Sequence, residues 1–154
     1  MPDEIKNWIK IRRAKAEDTE TLWELDKRCF SLPWSREDFA RDLNDNILST
    51  YLVAEADSMI IADVGIWVVL DECHIMTIAV EPDWQKQGIG TMLMLEILRY
   101  AREAGATSYT LEVRRSNKAA IALYEKFGFT ISGYRRSYYE DNKEDAAIMW
   151  KYDL

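Results

Sequence analysis

The sequence of 154 residues predicts one α/β (α+β) domain over residues 1–154, in which about seven strands form a mixed sheet flanked by about four helices. An apolar run rich in β-branched residues at 75–80 predicts the central strand. Gly88 and Gly90 then open a long apolar helix that should stop at Gly105. The strands on either side of this helix should be parallel neighbours, because a helical crossover joins them.

The N-terminal part of the chain should form one strand and two helices. Apolar and polar residues alternate from Ile5 to Arg13, which is typical of a strand. Asp18 can cap the first helix, and Pro33 separates that helix from the second, because proline does not fit a helix interior. Ser35 and Asp38 have the spacing of a capping pair for the second helix.

Strands should dominate the rest of the chain. Residues 50–56 and 60–70 predict an antiparallel pair joined at Asp57 and Ser58, and the central strand follows a turn at Asp71 and Glu72. The segments after the long helix are predicted to be a strand at Thr107–Arg114, a short helix at Lys118–Lys126 capped by Ser116 or Asn117, a strand through Tyr134 and a last strand at Ala146–Tyr152.

The composition argues against several classes of protein. The net charge of −7 does not suit a nucleic-acid-binding face, which needs clustered Lys and Arg. The first residues lack the basic start and apolar core of a signal peptide, and no apolar run approaches membrane-spanning length. Cys29 and Cys73 form no CxxC pair and have no histidine cluster around them, so we expect no metal. We therefore expect a cytoplasmic protein that binds neither nucleic acid nor membranes.

The loop between the central strand and the long helix has the features of a phosphate site. Gly88 and Gly90 let the backbone approach a bulky ligand, and the free N–H groups at a helix start attract phosphate. The loop has neither a Walker lysine nor a third glycine, so a P-loop or a dinucleotide fingerprint is disfavoured. The alternative is an ordinary turn whose glycines only help to start the helix.

Two motifs together resemble a known family. The sequence QKQGIG at residues 85–90 resembles the acetyl-coenzyme A (acetyl-CoA) loop of the GCN5-related N-acetyltransferase (GNAT) family. The sequence LEVRRSNKAAIALYEKFGF at residues 111–129 closely resembles the RimI-like, ribosomal-protein alanine N-acetyltransferase branch of that family. The similarity extends to residues 30–35 and 138–146, and so covers nearly the whole chain.

This resemblance implies a GNAT fold with acetyl-CoA as cosubstrate. In the family, the central strand and the strand after the long helix splay apart at a bulge, and the pantetheine arm lies between them. The residues that the resemblance assigns to pantetheine are Ile78, Ala79 and Val80, those assigned to the pyrophosphate are Lys86, Gln87, Gly88, Ile89, Gly90 and Thr91, and Asn117 is expected to face the cofactor.

Three polar side chains are candidates for catalysis. Glu112 lies in an apolar strand, so it either pairs with a cation such as Arg114 or Arg135 or is kept for proton transfer. The resemblance implies that it is the general base. It also implies that Tyr124 is the general acid for the coenzyme A thiolate, although its spacing alone suits a core aromatic. His74, the only histidine, is either structural or shares the role of Glu112.

Aromatic residues near both ends of the chain are candidates for binding the substrate. Phe30, Pro33 and Trp34 suggest a binding wall between the first two helices, with a hydrophobic staple for the second helix as the alternative. Tyr138 and Tyr139 resemble a pair that grips the substrate peptide, with ordinary cross-strand aromatics as the alternative.

The predicted function is direct acetyl transfer to the α-amino group of a protein N-terminus, possibly that of a ribosomal protein. An α-amine has a pKa of about 8 and lysine about 10.4, so freeing lysine costs roughly 3 kcal/mol more at neutral pH. Two alternatives stay open. One is acetylation of another amine, such as a lysine, a polyamine or a small molecule. The other is a regulator that binds coenzyme A without catalysis, which would be expected to lose Glu112 or Tyr124.

Overall fold

The computed structural model describes residues 8–153, and its centre is a sheet of seven strands in the order β1-β2-β3-β4-β5-β7-β6. The strands are β1 (Ile9–Arg13), β2 (Ser49–Ala56), β3 (Met59–Val69), β4 (Glu72–Val80), β5 (Ser108–Arg114), β6 (Thr130–Arg135) and β7 (Ala146–Tyr152). Within the described residues, the helices of nine residues or more are α1 (Thr19–Cys29), α2 (Arg36–Asn44), α3 (Ile89–Glu103) and α4 (Lys118–Lys126).

The topology confirms the predicted mixed sheet. β4 and β5 are parallel and flank α3, as expected of a helical crossover, and every other neighbouring pair is antiparallel. The first strand begins at Ile9, after Trp8, and positions 5–7 of the predicted strand lie outside the described residues. None of the helices in the described range is long and apolar enough to cross a membrane.

The sheet separates two apolar cores. Alternate residues of β2 point to opposite faces, so Leu52 contributes to the core beneath α3 and α4, whereas Tyr51 contributes to the core beneath α1 and α2. The Tyr51 ring covers Gly65 of β3 so closely that a Cβ there would lie 2.3 Å from a ring carbon. A side chain at position 65 would therefore displace Tyr51.

Side chains cap two helix starts as predicted, but the cap predicted at a third helix start is wrong. Ser35 Oγ accepts from the Asp38 N–H at 3.1 Å, as predicted for α2. Asn117 caps α4, accepting from the Ala120 N–H at 3.1 Å. Asp18 occupies the N-cap position of α1 but makes no capping bond there. Its carboxylate instead binds the Arg12 guanidinium at 2.8 and 3.1 Å, because an ion pair is available across the turn.

The sheet splits between β4 and β5. These strands pair at only three positions, ending at His74 and Thr110. The register against β3 skips Met76, so β4 bulges immediately after the split. Beyond His74, β4 remains paired with β3 and β5 remains paired with β7, and the two halves of the sheet diverge. The splayed cleft that the resemblance implied is therefore present.

Candidate active site

A cavity of about 420 Å³ occupies the cleft where β4 and β5 separate. It extends from the start of α3 to the α1–α2 loop (residues 30–35) and the β6–β7 loop (residues 136–145). The predicted site residues that line it are Phe30, Trp34, Ile78, Ala79, Val80, Gly90, Glu112, Asn117, Tyr124 and Tyr139. The other predicted site residues are outside this lining: Pro33, His74, Lys86, Gln87, Gly88, Ile89, Thr91 and Tyr138.

Glu112 of β5 turns its carboxylate into the cleft, and its side chain is 18% exposed. The Tyr138 hydroxyl donates to Oε2 at 3.0 Å. His74 Nε2 lies 3.7 Å from Oε1, and Arg135 Nε lies 3.8 Å from the same atom. Of the two cations considered from the sequence, Arg135 is a distant partner and Arg114 binds other carboxylates. Glu112 therefore remains free to accept a proton from a group in the cleft.

His74 lies at the position where β4 leaves β5. It is the last residue of β4 that pairs with β5, opposite Thr110, and its side chain is half-buried. Nε2 faces Glu112, but at 3.7 Å from Oε1 it lies beyond hydrogen-bond distance, so a proton could pass directly between them only after the two side chains move closer together. The geometry suits both the structural and the catalytic interpretation.

Tyr124 is a core aromatic that also borders the cavity. Its ring is 6% exposed and packs edge-to-face on Phe129, with ring centres 6.1 Å apart, so it is a core aromatic. It also forms part of the cavity wall. Burial raises the pKa of the Tyr124 hydroxyl, with a further contribution from Tyr139, so the group is protonated at neutral pH. A protonated phenol beside the cleft can donate to a leaving anion.

The cofactor loop presents backbone rather than side chains. Gly88 caps α3 with φ +86°, a left-handed conformation that glycine adopts without strain. Ile89 is only 1% exposed and belongs to the core, so only its backbone can reach a ligand. Lys86 is exposed, and a Cβ added at Gly90 would lie 3.4 Å from Leu123 of α4. The free N–H groups at the start of α3 are suited to binding an anion.

The α1–α2 loop borders the cavity and also forms a hydrophobic staple for α2. Phe30 and Trp34 line the cavity. Trp34 also precedes the α2 cap and packs on Phe39, with ring centres 5.4 Å apart, which is the geometry of a hydrophobic staple. Pro33 lies in the same loop outside the cavity lining. The hydrophobic staple is therefore present, and the binding wall stays a prediction that the position of Phe30 and Trp34 in the cavity lining allows.

Tyr138 and Tyr139 lie in the β6–β7 loop, so the alternative of cross-strand aromatics is wrong. Their rings meet edge-to-face with centres 5.1 Å apart. Tyr139 faces the cavity, while Tyr138 reaches Glu112 through its hydroxyl. The pair stands opposite the α1–α2 loop, where a peptide end could lie between them.

Two buried carboxylates near the cleft were missed from the sequence. Asp26 of α1 lines the cavity and accepts from the Trp34 N–H at 2.8 Å, and burial raises its pKa to about 6. Asp63 of β3 is 0% exposed, and neither of its carboxylate oxygens has a hydrogen-bond partner among residues 8–153. Burial, and then the nearby Asp26, raise the pKa of Asp63 well above the usual range. For Asp63, an acidic residue inside an apolar strand was the available signal, as it was for Glu112.

Metal-ligating side chains are not grouped in threes or more anywhere in the part of the chain that the structure describes. The groups that line or adjoin the cleft are instead the carboxylates of Glu112 and Asp26, aromatic hydroxyls, a histidine and backbone amides. Such groups can bind an anionic ligand and move protons.

Comparison with known proteins agrees with this geometry. The sequence model of the Acetyltransferase (GNAT) family matches residues 19–129. The ribosomal protein bS18-alanine N-acetyltransferase of Escherichia coli (strain K12) is 37% identical over 141 residues, covering 90% of this chain and 94% of that protein. The corresponding Salmonella typhimurium protein is 39% identical over 134 residues, covering 86% and 89%. The crystal structure of the Escherichia coli ribosomal-protein-S18-alanine N-acetyltransferase has a TM-score of 0.87 at 34% identity, covering 95% of each chain.

Proposed function

The chain belongs to the GNAT acetyltransferase family, and from this premise we propose that it transfers the acetyl group of acetyl-CoA to the N-terminal α-amino group of a protein. The observation that carries the proposal is the largely buried Glu112 carboxylate in the cleft between β4 and β5. We propose that residues 1–154 form a single acetyltransferase domain that carries out this reaction. The two similar enzymes are named for alanine of a ribosomal protein, so we propose a ribosomal protein as substrate, which would place the reaction in the cytoplasm.

The residues present fit acetyl-CoA, which supplies an activated thioester. Beyond His74, the edge of β4 that faces the cleft has no strand partner among residues 8–153, so the backbone at Ile78, Ala79 and Val80 can pair with an extended amide-containing arm. Residues 86–91 then offer backbone N–H groups to the pyrophosphate, with Lys86 as a nearby cation. Asn117 borders the same cleft from the start of α4.

Proton transfer follows from the positions of the side chains. Glu112 takes a proton from the acceptor ammonium through a water molecule, and Tyr138 holds the carboxylate while His74 lies next to it. The freed amine attacks the thioester carbonyl, its C–N bond forms and the C–S bond breaks. Tyr124 donates its proton to the departing thiolate, the second proton released by the nitrogen restores the Tyr124 hydroxyl, and Glu112 passes the first proton to solvent. Burial raises the pKa of Tyr124, which by itself makes this donation harder, so the transfer requires that the same burial also raise the proton affinity of the departing thiolate.

The acceptor enters, we propose, between the α1–α2 loop and the β6–β7 loop. Phe30, Trp34 and Tyr139 form apolar walls around the chain end, and Tyr138 brings that end next to Glu112. An α-amine requires roughly 3 kcal/mol less than a lysine amine to lose its proton at neutral pH. Glu112, a single carboxylate that is largely buried, is suited to deprotonating the α-amine rather than a lysine.

Competition among acceptors tests the proposal. The full chain with acetyl-CoA would be offered three amines in equal amounts: a peptide with a free N-terminal alanine, the same peptide with a blocked N-terminus and an internal lysine, and spermidine. We expect mass spectrometry to find acetyl on the first peptide. Preferential acetylation of the lysine peptide or of spermidine would identify the enzyme as one for another amine. Coenzyme A binding without transfer to any of the three would indicate the regulator.

A further inference from the structure

The side chain of Arg114 joins the two loops that border the acceptor end of the cleft. Arg114 is the last residue of β5 and lines the cavity. Its Nη2 donates to Asp141 Oδ2 at 2.8 Å in the β6–β7 loop and to Ser31 Oγ at 3.1 Å in the α1–α2 loop. The Ser31 hydroxyl donates to the same oxygen of Asp141 at 2.6 Å. The three side chains therefore form a closed bridge, here called the Arg114 bridge.

The other face of the guanidinium supports the substrate wall. Arg114 Cζ lies 4.0 Å from the centre of the Tyr139 ring, within cation–π distance. Its Nη1 donates to Asn142 Oδ1 at 3.1 Å and to Glu144 Oε1 at 3.4 Å. Glu144 in turn accepts from the Ser116 N–H at 2.7 Å, just before α4 begins. One side chain thus fixes Tyr139 and reaches the helix that borders the cofactor.

The guanidinium of the Arg114 bridge is partly shielded from solvent, whereas Ser31 is exposed. The exposed fractions of the side chains are 24% for Arg114, 28% for Asp141 and 17% for Glu144. The Ser31 hydroxyl and then Arg114 lower the pKa of Asp141, so this carboxylate is ionised at neutral pH. Hydrogen bonds from Ser116, followed by Arg114, lower the pKa of Glu144 in the same way. Lysine could not replace Arg114, because only a planar guanidinium serves acceptors on several sides at once.

We propose that Arg114 is the positioning residue of the acceptor site. By bridging the two loops and supporting Tyr139, it holds the walls in place before the peptide arrives. A preformed site spares the peptide the entropic cost of ordering two loops. The inference rests on the proposed function for the identity of the acceptor, but the bridge itself can be tested without catalysis.

Arg115 provides a matched control on the adjacent residue. It pairs with Asp145 at 3.3 Å and lies 4.1 Å from the centre of the Tyr134 ring, so its surroundings resemble those of Arg114. Its side chain is 56% exposed, however, and neither partner belongs to the α1–α2 loop. Replacement of the Arg115 guanidinium by a lysine amine thus changes hydrogen bonding and stacking without opening the bridge.

The kinetic test compares Arg114→Lys with Arg115→Lys in the full chain. For Arg114→Lys we expect the KM of the N-terminal peptide to rise about tenfold, while the KM of acetyl-CoA changes less than about twofold. Arg115→Lys should leave both constants within about twofold. Ser31→Ala removes the exposed end of the bridge with little risk to folding, and it should also raise the KM of the peptide. Ser31→Thr keeps the hydroxyl, so its peptide KM should equal that of the parent. Equal peptide KM values in Arg114→Lys and the parent would overturn the proposal.

Hydrogen exchange gives a second readout that does not depend on activity. Amides of residues 30–35 should exchange faster in Arg114→Lys and Ser31→Ala than in the parent, and at the parent rate in Arg115→Lys. Unchanged exchange in the first two variants would overturn the bridge even if the enzyme were active. If the parent acetylated no peptide while exchange changed as expected, the proposed function would fail and the bridge would stand.

Discussion

The cofactor end of the cleft presents mainly backbone atoms, whereas the acceptor end presents side chains from three separate segments. At the cofactor end, the unpaired edge of β4 and the start of α3 offer N–H groups whose positions follow from local geometry. At the acceptor end, residues 31, 114 and 141 meet only because the whole domain has folded. The cofactor end should therefore respond to changes of backbone conformation, and the acceptor end to changes of side chain.

Glu112 lies where the two ends meet, so its loss should have the largest effect. For Glu112→Gln we expect kcat to fall about 100-fold or more, because the amide keeps the shape but takes no proton. Calorimetry should find coenzyme A affinity unchanged, since neither end is altered. Glu125→Gln, on the exposed side of α4, is the control and should retain full kcat. A kcat equal to that of the parent would remove Glu112 from the mechanism.

Gly88→Ala would change the backbone of the cofactor end alone. An alanine at φ +86° is strained by about 1–2 kcal/mol, so the KM of acetyl-CoA should rise about tenfold. The peptide KM should be unaffected. Gly133→Ala is a suitable control, because a Cβ there meets nothing within 4 Å. An equal rise in both KM values would show that the ends are not independent.

Asp63→Asn would test the buried acids beneath the acceptor side of the sheet. Because the pKa of Asp63 is raised on folding, the folded state holds its proton while the unfolded state releases it. The stability of the parent should therefore fall as pH rises above about 4, the ordinary pKa of an aspartate. The asparagine avoids this loss, so its Tm should equal the parent's near pH 4 and exceed it by several degrees at pH 8.

Thermal unfolding monitored by circular dichroism across that pH range would measure the difference. Asp57→Asn, at an exposed turn, should leave the pH dependence of Tm unchanged. A constant Tm difference between Asp63→Asn and the parent at all pH values would show that Asp63 does not take up its proton on folding.

Lys86→Ala should have the smallest effect. Lys86 is exposed, so its attraction for a phosphate is screened by solvent and salt. We expect the KM of acetyl-CoA to rise about twofold at low ionic strength, and less at 0.5 M salt, which steady-state kinetics can measure. A tenfold rise would mean that the cofactor end depends on a side chain after all.

The same contrast explains what could be predicted from the sequence. The seven strands, the Ser35–Asp38 cap and the loop before α3 depend on neighbouring residues, and all three are present as predicted. The Arg114 bridge joins positions 83 residues apart and carries no local signal. Asp18 was misassigned as a capping side chain for the same reason, since its partner Arg12 belongs to the preceding strand. Local patterns thus indicate the loop before α3, whereas the Arg114 bridge between the two acceptor loops could be found only in the three-dimensional structure.

The split between β4 and β5 has a consequence for behaviour in solution. Because these strands pair at only three positions, each has an interior edge with unpaired amides, the kind of edge that can recruit a strand from another molecule. An extended ligand arm lying against β4 would cover that edge. Saturation with coenzyme A should therefore suppress aggregation, and light scattering of concentrated protein with and without the ligand would reveal this protection.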